Sequence, residues 1–200
     1  MTESDSFRAH YGTPSERAQR KVLKRLDRHC LRFLQLSPLV CLGTQGPSGG
    51  DVSPRGDEPG FAHALDERTL AIPDWPGNNR LDSLGNIEAN PLVGLLFLIP
   101  GVDETLRVNG RAHVSTEAAL LGRWDRSGRR PISAIVVEVD QVFFHCGRAL
   151  IRSAIWKDTY RVERSALPTY GTMLKDQVDT TQTAAEIDLS VNTGYRDKLY

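Results

Sequence analysis

The chain has 200 residues, 40% of them hydrophobic, and its 25 Lys and Arg balance its 25 Asp and Glu. This length suffices for one domain with its own core, and zero net charge gives no overall field that would attract nucleic acid or an anionic membrane. The longest apolar run, Leu92 to Ile99, is too short to span a bilayer, and the first residues lack the apolar core of a signal peptide. We therefore expect a single cytoplasmic domain over residues 1–200, with neither a nucleic-acid nor a membrane partner.

Residues 1–37 are predicted to be helical after a short polar lead. Lys and Arg residues surround one apolar face of this helix. That face contains the regularly spaced residues Ala18, Val22, Leu26, Cys30 and Phe33. No aromatic residues are interleaved with the charges, as a nucleic-acid surface would require. We interpret the basic side as the solvated face of an amphipathic helix that packs on the rest of the domain.

Residues 38–146 have the character of short strands separated by turns rich in Gly, Pro and Asn. The predicted strands are Leu39–Thr44, Val52–Arg55, Phe61–Leu65, Leu70–Ile72, Leu92–Ile99, Leu106–Val114 and Ile132–Phe144. The continuously apolar Leu92–Ile99 is typical of a central strand covered on both faces. A brief helical excursion is predicted at Thr116–Trp124. Residues 147–200 are predicted to form a tail of short helices that packs on the strands or on a second copy.

One strong helix, Asn79 to Glu88, interrupts the strands. Asn78 or Asn79 can cap its start, and Asn90-Pro91 ends it. The pattern as a whole predicts a mainly β fold with peripheral helices, arranged as a closed or partly closed barrel.

The turn that leads into this helix is a candidate phosphate site. A helix start presents unpaired backbone N–H groups and a positive dipole end, and Arg80 in the first turn can clamp an anion bidentately. The alternative is a structural turn with Arg80 in solvent, and this segment alone does not decide between the two interpretations.

Two further segments place polar groups at strand ends. Ser53-Pro54-Arg55-Gly56-Asp57 combines a forked donor, a glycine that permits close approach and a carboxylate. Thr105 and Arg107 share one strand face, while Leu106 and Val108 face the core. An ordinary hydrophilic loop and an ordinary solvent face are the alternatives.

The cysteines and histidines predict neither disulfides nor a metal site. Cys30, Cys41 and Cys146 are odd in number and lack Cys-x-x-Cys spacing, which is typical of reduced and mostly buried thiols. The histidines have no metal-ligand spacing relative to them, and no nucleophile motif stands out. If the protein is an enzyme, we expect a cofactor to supply its chemistry.

Five segments resemble the pyridoxamine 5′-phosphate oxidase-related, FMN-binding split-barrel family: SPRGD, IPDWPGNNRLDSLGNI, NPLVGLLFLIPG, TLRVNGRAHV and FFHCGRALIRSAIW. The resemblance runs from about Leu36 to Trp156 and is nearest to a bacterial subgroup of unassigned substrate. It implies a six-stranded split β-barrel of Greek-key type, paired in a homodimer, with FMN in a cleft that both chains line.

The resemblance also implies which residues contact the FMN. Residues implied to border the ring and ribityl chain are Ser53, Pro54, Arg55, Gly56 and Asp57, with Ile72, Pro73 and Asp74 at the adjacent strand end. The phosphate would be held by Asn78, Asn79 and Arg80, with further contacts from Thr105, Arg107 and the tail residue Trp156.

The chain departs from true pyridoxamine phosphate oxidases at two of these places. Arg55-Gly56-Asp57 stands where they have a strand that ends in Lys, and Asn78-Asn79-Arg80 stands where they have Ser-Arg-Lys. The resemblance therefore implies the fold and the flavin but not vitamin B6 oxidation.

The predicted function is that of an FMN-dependent oxidoreductase acting on a small molecule or on reduced nicotinamide. The alternatives are a non-catalytic flavin-binding protein that stores or senses FMN, and a barrel that binds a deazaflavin or haem.

Overall fold

The computed structural model describes residues 8, 10–197 and 200. Its strands are β1 (Leu39–Gly46), β2 (Gly49–Gly56), β3 (His63–Ala64), β4 (Thr69–Asp74), β5 (Leu92–Leu98), β6 (Thr105–Ser115) and β7 (Ser133–His145). Its helices are α1 (Glu16–Arg20), α2 (Arg28–Leu36), α3 (Asp82–Ala89), α4 (Ala118–Leu121), α5 (Arg148–Ser153), α6 (Tyr170–Gln177) and α7 (Ala184–Asp197). Single 3-10 turns lie at Gly122–Trp124, Asp158–Tyr160 and Arg164–Ala166.

The strands form one antiparallel sheet in the order β2-β1-β5-β6-β7-β4-β3. The predicted fold class, mainly β with peripheral helices, is confirmed. The sheet has seven strands where six were expected, because the two-residue β3 pairs with the outer side of β4.

A single apolar cluster fills the concave side of the sheet. Arg55 of β2 forms an ion pair with Asp74 of β4, although four strands separate β2 from β4 in the sheet order. Neighbouring strands lie about 4.8 Å apart, so a flat sheet would hold these two side chains too far apart to pair. The sheet therefore curls around its core, and α2 covers the core with Cys30 and Phe33.

A β-bulge helps the two longest strands to bend. The register between β6 and β7 shifts between Asn109 and Gly110. A Cβ atom at Gly110 would lie 2.0 Å from the carbonyl oxygen of Glu138, so only glycine fits there. Bulges of this kind increase local twist and bend the strand that carries them.

The predicted continuous helix over residues 1–37 is wrong in its middle. Leu23 forms a β-bridge with Val142, through backbone hydrogen bonds of 2.9 and 2.8 Å in the two directions. Asp27 then begins a new helix, because its carboxylate accepts from the N–H groups of His29 and Cys30, both at 2.9 Å. Residues 1–7 and 9 lie outside the described residues.

The predicted start of the central helix is also wrong. α3 begins at Asp82, because Asn79 and Leu81 both adopt left-handed backbone conformations with φ of 58°. Arg80 therefore lies in the turn before the helix rather than in its first turn. Leu81 is the N-cap residue and provides no side-chain cap.

The prediction that β5 is covered on both faces is wrong for the single chain. Val93, Leu95 and Phe97 are buried, whereas the alternate residues are only half-buried and Leu92 is 52% exposed. The prediction of mostly buried thiols is likewise wrong for Cys146, which is exposed.

The tail contains short helices, as predicted. α6 and α7 pack together, and the N–H of Gly171 donates to Asp188 Oδ1 at 2.7 Å. Among the described residues, no helix combines the length and apolar character needed to cross a bilayer.

Candidate functional site

A cleft of about 590 Å³ lies between the end of β2, the loop after β4 and the start of α3, and we call it the main cleft. Seven of the predicted cofactor residues line it: Ser53, Pro54, Arg55, Asp74, Asn78, Asn79 and Arg80. Three segments that are far apart in the sequence therefore meet at one place. A volume of this size is typical of a small-molecule or cofactor site.

A chain of polar side chains runs along the main cleft. Arg55 forms an ion pair with Asp74, and its Nε donates to Ser53 Oγ at 3.3 Å. Ser53 Oγ lies 3.0 Å from Ser83 Oγ, and Ser83 in turn donates to Asp51 Oδ2 at 3.3 Å. Strand alternation in β2 and the first turn of α3 position these groups, so both hydroxyl and guanidinium donors are available to a polar ligand.

The Asn78–Leu81 turn presents Arg80 at the mouth of the cleft. The Arg80 backbone N–H donates to Asn78 Oδ1 at 3.1 Å, and its Nε donates to Asp82 Oδ2 at 2.7 Å. This hydrogen bond and the charge of Asp82 raise the pKa of Arg80 above its ordinary value. The Arg80 side chain is nonetheless 73% exposed, so an anion in solution has access to it.

Ser133 is a cleft residue that the sequence analysis missed. It is 4% exposed, it lines the main cleft, and its Oγ has no hydrogen-bond partner among the described residues. A buried hydroxyl without a partner is costly, and most buried polar groups do find one. Ser133 begins β7 opposite Asp74 of β4, so only knowledge of that strand pairing could have placed it in the site.

The remaining predicted residues from the same segments lie outside the lining of the main cleft. Ile72 and Pro73 are buried in β4. Asp57 lies behind the cleft wall, where its carboxylate accepts from Trp75 Nε1 at 3.0 Å and from Arg126 Nη2 at 2.6 Å. Gly56 packs beside the carbonyl oxygen of Pro38.

A second cleft, of about 460 Å³, contains Thr105 and Arg107. It lies on the convex side of the sheet, where β1, β5 and β6 meet α5. The Arg107 guanidinium lies 5.1 Å from the centre of the Phe143 ring. Trp156 lines neither cleft. It lies beside α5, where its Nε1 donates to the carbonyl oxygen of Val102 at 2.9 Å. One copy of the chain therefore does not bring all the predicted cofactor residues together.

No group of three or more His, Cys, Asp and Glu side chains among residues 8, 10–197 and 200 has the geometry to hold a metal ion. His63 stacks on Trp124 with ring centres 4.7 Å apart. Burial, with a smaller contribution from Arg123, lowers the pKa of His63 below its ordinary value.

The family profile described as pyridoxamine 5′-phosphate oxidase matches residues 26–146, more than half of the chain. The chain belongs to this family. The matched segment includes all the strands and every residue that lines the main cleft. No curated protein matches the chain significantly.

Solved structures resemble the chain at low sequence identity. A HupZ variant from Group A Streptococcus is 17% identical, with a TM-score of 0.50 over 60% of this chain and 99% of its own. General stress protein 26 from Bacillus anthracis is 14% identical, with a TM-score of 0.44 over 56% and 88%. An F420 reductase is 20% identical, with a TM-score of 0.39 over 57% and 94%. At these identities the similarity to HupZ shows the fold alone.

Proposed function

We propose that the main cleft binds FMN and that the protein is an oxidoreductase acting on a small molecule or on reduced nicotinamide. The observation that carries this proposal is the convergence of Ser53–Arg55, Asp74 and Asn78–Arg80 in one cleft. Membership of the pyridoxamine 5′-phosphate oxidase family, whose members generally bind flavin, supports the choice of cofactor. The departures at Arg55–Asp57 and Asn78–Arg80 argue against vitamin B6 as the substrate.

The residues of the cleft fit the parts of FMN. Arg80 and the backbone N–H groups at the start of α3 would hold the phosphate, since charge-assisted hydrogen bonds and the helix dipole both favour an anion there. The hydroxyls of Ser53, Ser83 and Ser133 would meet the ribityl hydroxyls, and Ser133 in particular would gain a partner, since it has none within the described part of the chain. Trp75 and Ile132 line the same cleft and would provide apolar contacts for the ring.

To bind the phosphate, the Arg80 guanidinium must either leave Asp82 or contact Asp82 and the phosphate at once. Asp82 holds the guanidinium through Nε, which leaves the other guanidinium nitrogens to donate to an anion. When bound, the flavin would supply hydride and electron transfer. The chain's own contribution is to orient the cofactor and to keep the buried side of the cleft free of bulk water.

We propose further that the protein acts as a homodimer. The convex side of the sheet has an apolar face that is incompletely covered, with Val52 70% exposed in the edge strand β2. Val52 lines the second cleft, while its neighbour Ser53 lines the main cleft. A partner that covers β2 would therefore lie beside both clefts, and we propose that Thr105 and Arg107 of one copy contribute to the main cleft of the other across a two-fold interface.

Absorption spectroscopy of the purified protein tests the cofactor first, because bound oxidised flavin has characteristic visible bands. Titration of the flavin-free protein with FMN and with riboflavin, followed by flavin fluorescence, tests the phosphate site. Charge-assisted hydrogen bonds contribute about 1.5–3 kcal/mol each, so the loss of two should weaken riboflavin binding by about a hundredfold or more.

Arg80→Gln should weaken FMN binding and leave riboflavin binding unchanged. Arg161→Gln is the matched control, because Arg161 is also exposed and paired with a nearby Asp but lies in the tail. Equal affinity of the wild type for FMN and riboflavin would refute the phosphate site. Steady-state turnover with reduced nicotinamide then separates an enzyme from a protein that only stores or senses flavin.

A further inference from the structure

Tyr200 packs over the end of β2 and hydrogen-bonds to the buried carboxylate of Asp57. Its hydroxyl donates to Asp57 Oδ1 at 2.8 Å, and this hydrogen bond raises the pKa of Tyr200 above its ordinary value. Its carbonyl oxygen accepts from Arg129 Nη1 at 3.4 Å. Tyr200 itself is 37% exposed, so it lies over the site rather than within the core.

Asp57 joins three parts of the chain at this place. Its side chain is 1% exposed, and its Oδ1 also accepts from Arg126 Nη2 and from the N–H of Glu58 at 2.7 Å. Its Oδ2 accepts from Trp75 Nε1 at 3.0 Å. A buried carboxylate is tolerated only when its oxygens are fully hydrogen-bonded, so each of these donors depends on the others.

The Tyr200 ring contacts the same donors. It meets the Trp75 ring edge to face at a centre-to-centre distance of 5.0 Å, and the Arg126 guanidinium lies 4.4 Å from the ring centre. Tyr200 thus touches Asp57, Trp75 and Arg126 at once. Of the three, Trp75 also lines the main cleft.

We propose that Tyr200 is a positioning residue for the main cleft. By completing the hydrogen bonds of Asp57 and by packing on the Trp75 ring, it fixes the wall formed by Trp75, Pro76 and Gly77. A wall that is already fixed loses less conformational entropy when a ligand binds. The ligand is therefore bound more tightly and dissociates more slowly. The effect on FMN rests on the proposed function, whereas the effect on the wall does not.

Hydrogen–deuterium exchange on the ligand-free protein tests the wall directly. Tyr200→Phe removes only the hydroxyl, and Tyr200→Ala removes the ring as well. Backbone amides in residues 75–81 should exchange faster by about threefold in the first variant and by about tenfold in the second. Tyr195→Phe and Tyr195→Ala are the matched controls, because Tyr195 is an exposed tyrosine of α7 in the same tail.

The FMN dissociation rate tests the consequence for a ligand. It is measured by capturing the released FMN with an excess of apoflavodoxin. It should rise in the same order, by about threefold and about tenfold, with the Tyr195 variants equal to the wild type. A general loss of stability would instead raise exchange across the core strands as well, and exchange in β5 and β6 reports on this.

The outcomes separate the two proposals. Faster exchange confined to residues 75–81 supports the positioning role, even if the wild type fails to bind FMN and the proposed function falls. Exchange in residues 75–81 equal to that of the wild type in Tyr200→Ala overturns the positioning role. So does an increase spread evenly over β5 and β6, because Tyr200 would then only stabilise the fold.

Discussion

Arg80 donates from Nε to Asp82 Oδ2 at 2.7 Å, so the cation at the mouth of the main cleft already has a carboxylate partner two residues away. Asp51 adds a weaker attraction to the same guanidinium. An incoming phosphate therefore meets both a cation and the negative charges that accompany it. The ion pair holds the guanidinium at the cleft but weakens its net attraction for an anion.

Asp82→Asn should strengthen FMN binding. The change removes a carboxylate that competes with the phosphate for Arg80 and repels it, and we expect the Kd to fall by about three- to tenfold at low salt. The gain should shrink as ionic strength rises, because exposed charges are screened. Titration by flavin fluorescence at two salt concentrations measures both effects.

The matched control for Asp82→Asn is Asp158→Asn, which removes an exposed carboxylate from an ion pair with Arg161 in the tail. Its FMN affinity should equal that of the wild type. If Asp82→Asn binds FMN no more tightly than the wild type does, Arg80 is not the phosphate ligand.

Ser133→Ala should change ligand binding and stability in opposite senses. Its hydroxyl is buried without a partner among the described residues, so its removal should leave the free energy of unfolding of the ligand-free protein unchanged or raise it by about 1 kcal/mol. If the hydroxyl binds the ribityl chain, FMN affinity should fall by about two- to tenfold. Urea titration and FMN titration of the same variant measure the two quantities.

Ser37→Ala provides the contrast to Ser133→Ala. Ser37 is equally buried, but its Oγ donates to the carbonyl oxygen of Leu98 at 2.7 Å, and Ser37 does not line the main cleft. This variant should lose stability and keep its FMN affinity. A Ser133→Ala protein that is destabilised and binds FMN normally would show that the hydroxyl serves the fold rather than the ligand.

The sequence predicted the strands and the main cleft better than it predicted the helix boundaries. Short apolar runs bounded by Gly/Pro turns located β4, β5 and β6, because those signals are local. The helix over residues 1–37 failed because a long-range bridge between Leu23 and Val142 overrides the helical spacing of the apolar residues. Local spacing contains no information about such a partner.

Two features of the candidate site could not be predicted from the sequence, for related reasons. The start of α3 was misplaced because the left-handed conformations of Asn79 and Leu81 break the helix where the capping pattern placed its first turn. Left-handed leucine is uncommon, so no local rule anticipates it. The roles of Asp57 and Ser133 depend on neighbours that are remote in the sequence, Tyr200 and Asp74 respectively.

Val52→Arg should disrupt the proposed dimer without unfolding the chain. Val52 is exposed in the edge strand β2 and lines the second cleft, so a charge there faces solvent in a monomer and would be buried in an obligate interface. Light scattering at micromolar concentration should report a dimer for the wild type and a shift to monomer for the variant. A charge buried without a partner is sufficient to prevent association.

Val162→Arg is the control for this substitution, because Val162 is equally exposed but lies in the tail. It should remain dimeric. A wild type that is monomeric, or a Val52→Arg protein that is still dimeric, would place the interface elsewhere and remove the shared-cleft arrangement.

His63 should make stability depend on pH below its ordinary pKa of about 6.5. Burial, assisted by Arg123, lowers the pKa of His63 in the folded protein. The unfolded chain therefore binds more protons than the folded one between the lowered pKa and about 6.5. The contribution of His63 to stability is fully present above about pH 6.5. It is lost as the pH falls through that window toward the folded pKa.

His63→Phe isolates this contribution, because a phenyl ring can keep the stacking on Trp124 but cannot take up a proton. We expect urea unfolding to show a smaller loss of stability between pH 7.5 and 5.5 in His63→Phe than in the wild type. His113→Phe, at an exposed position of β6, controls for the loss of a surface histidine. If His63→Phe and the wild type lose the same stability over this range, the half-buried His63 ring contributes nothing to the pH dependence, and carboxylates elsewhere in the fold account for it.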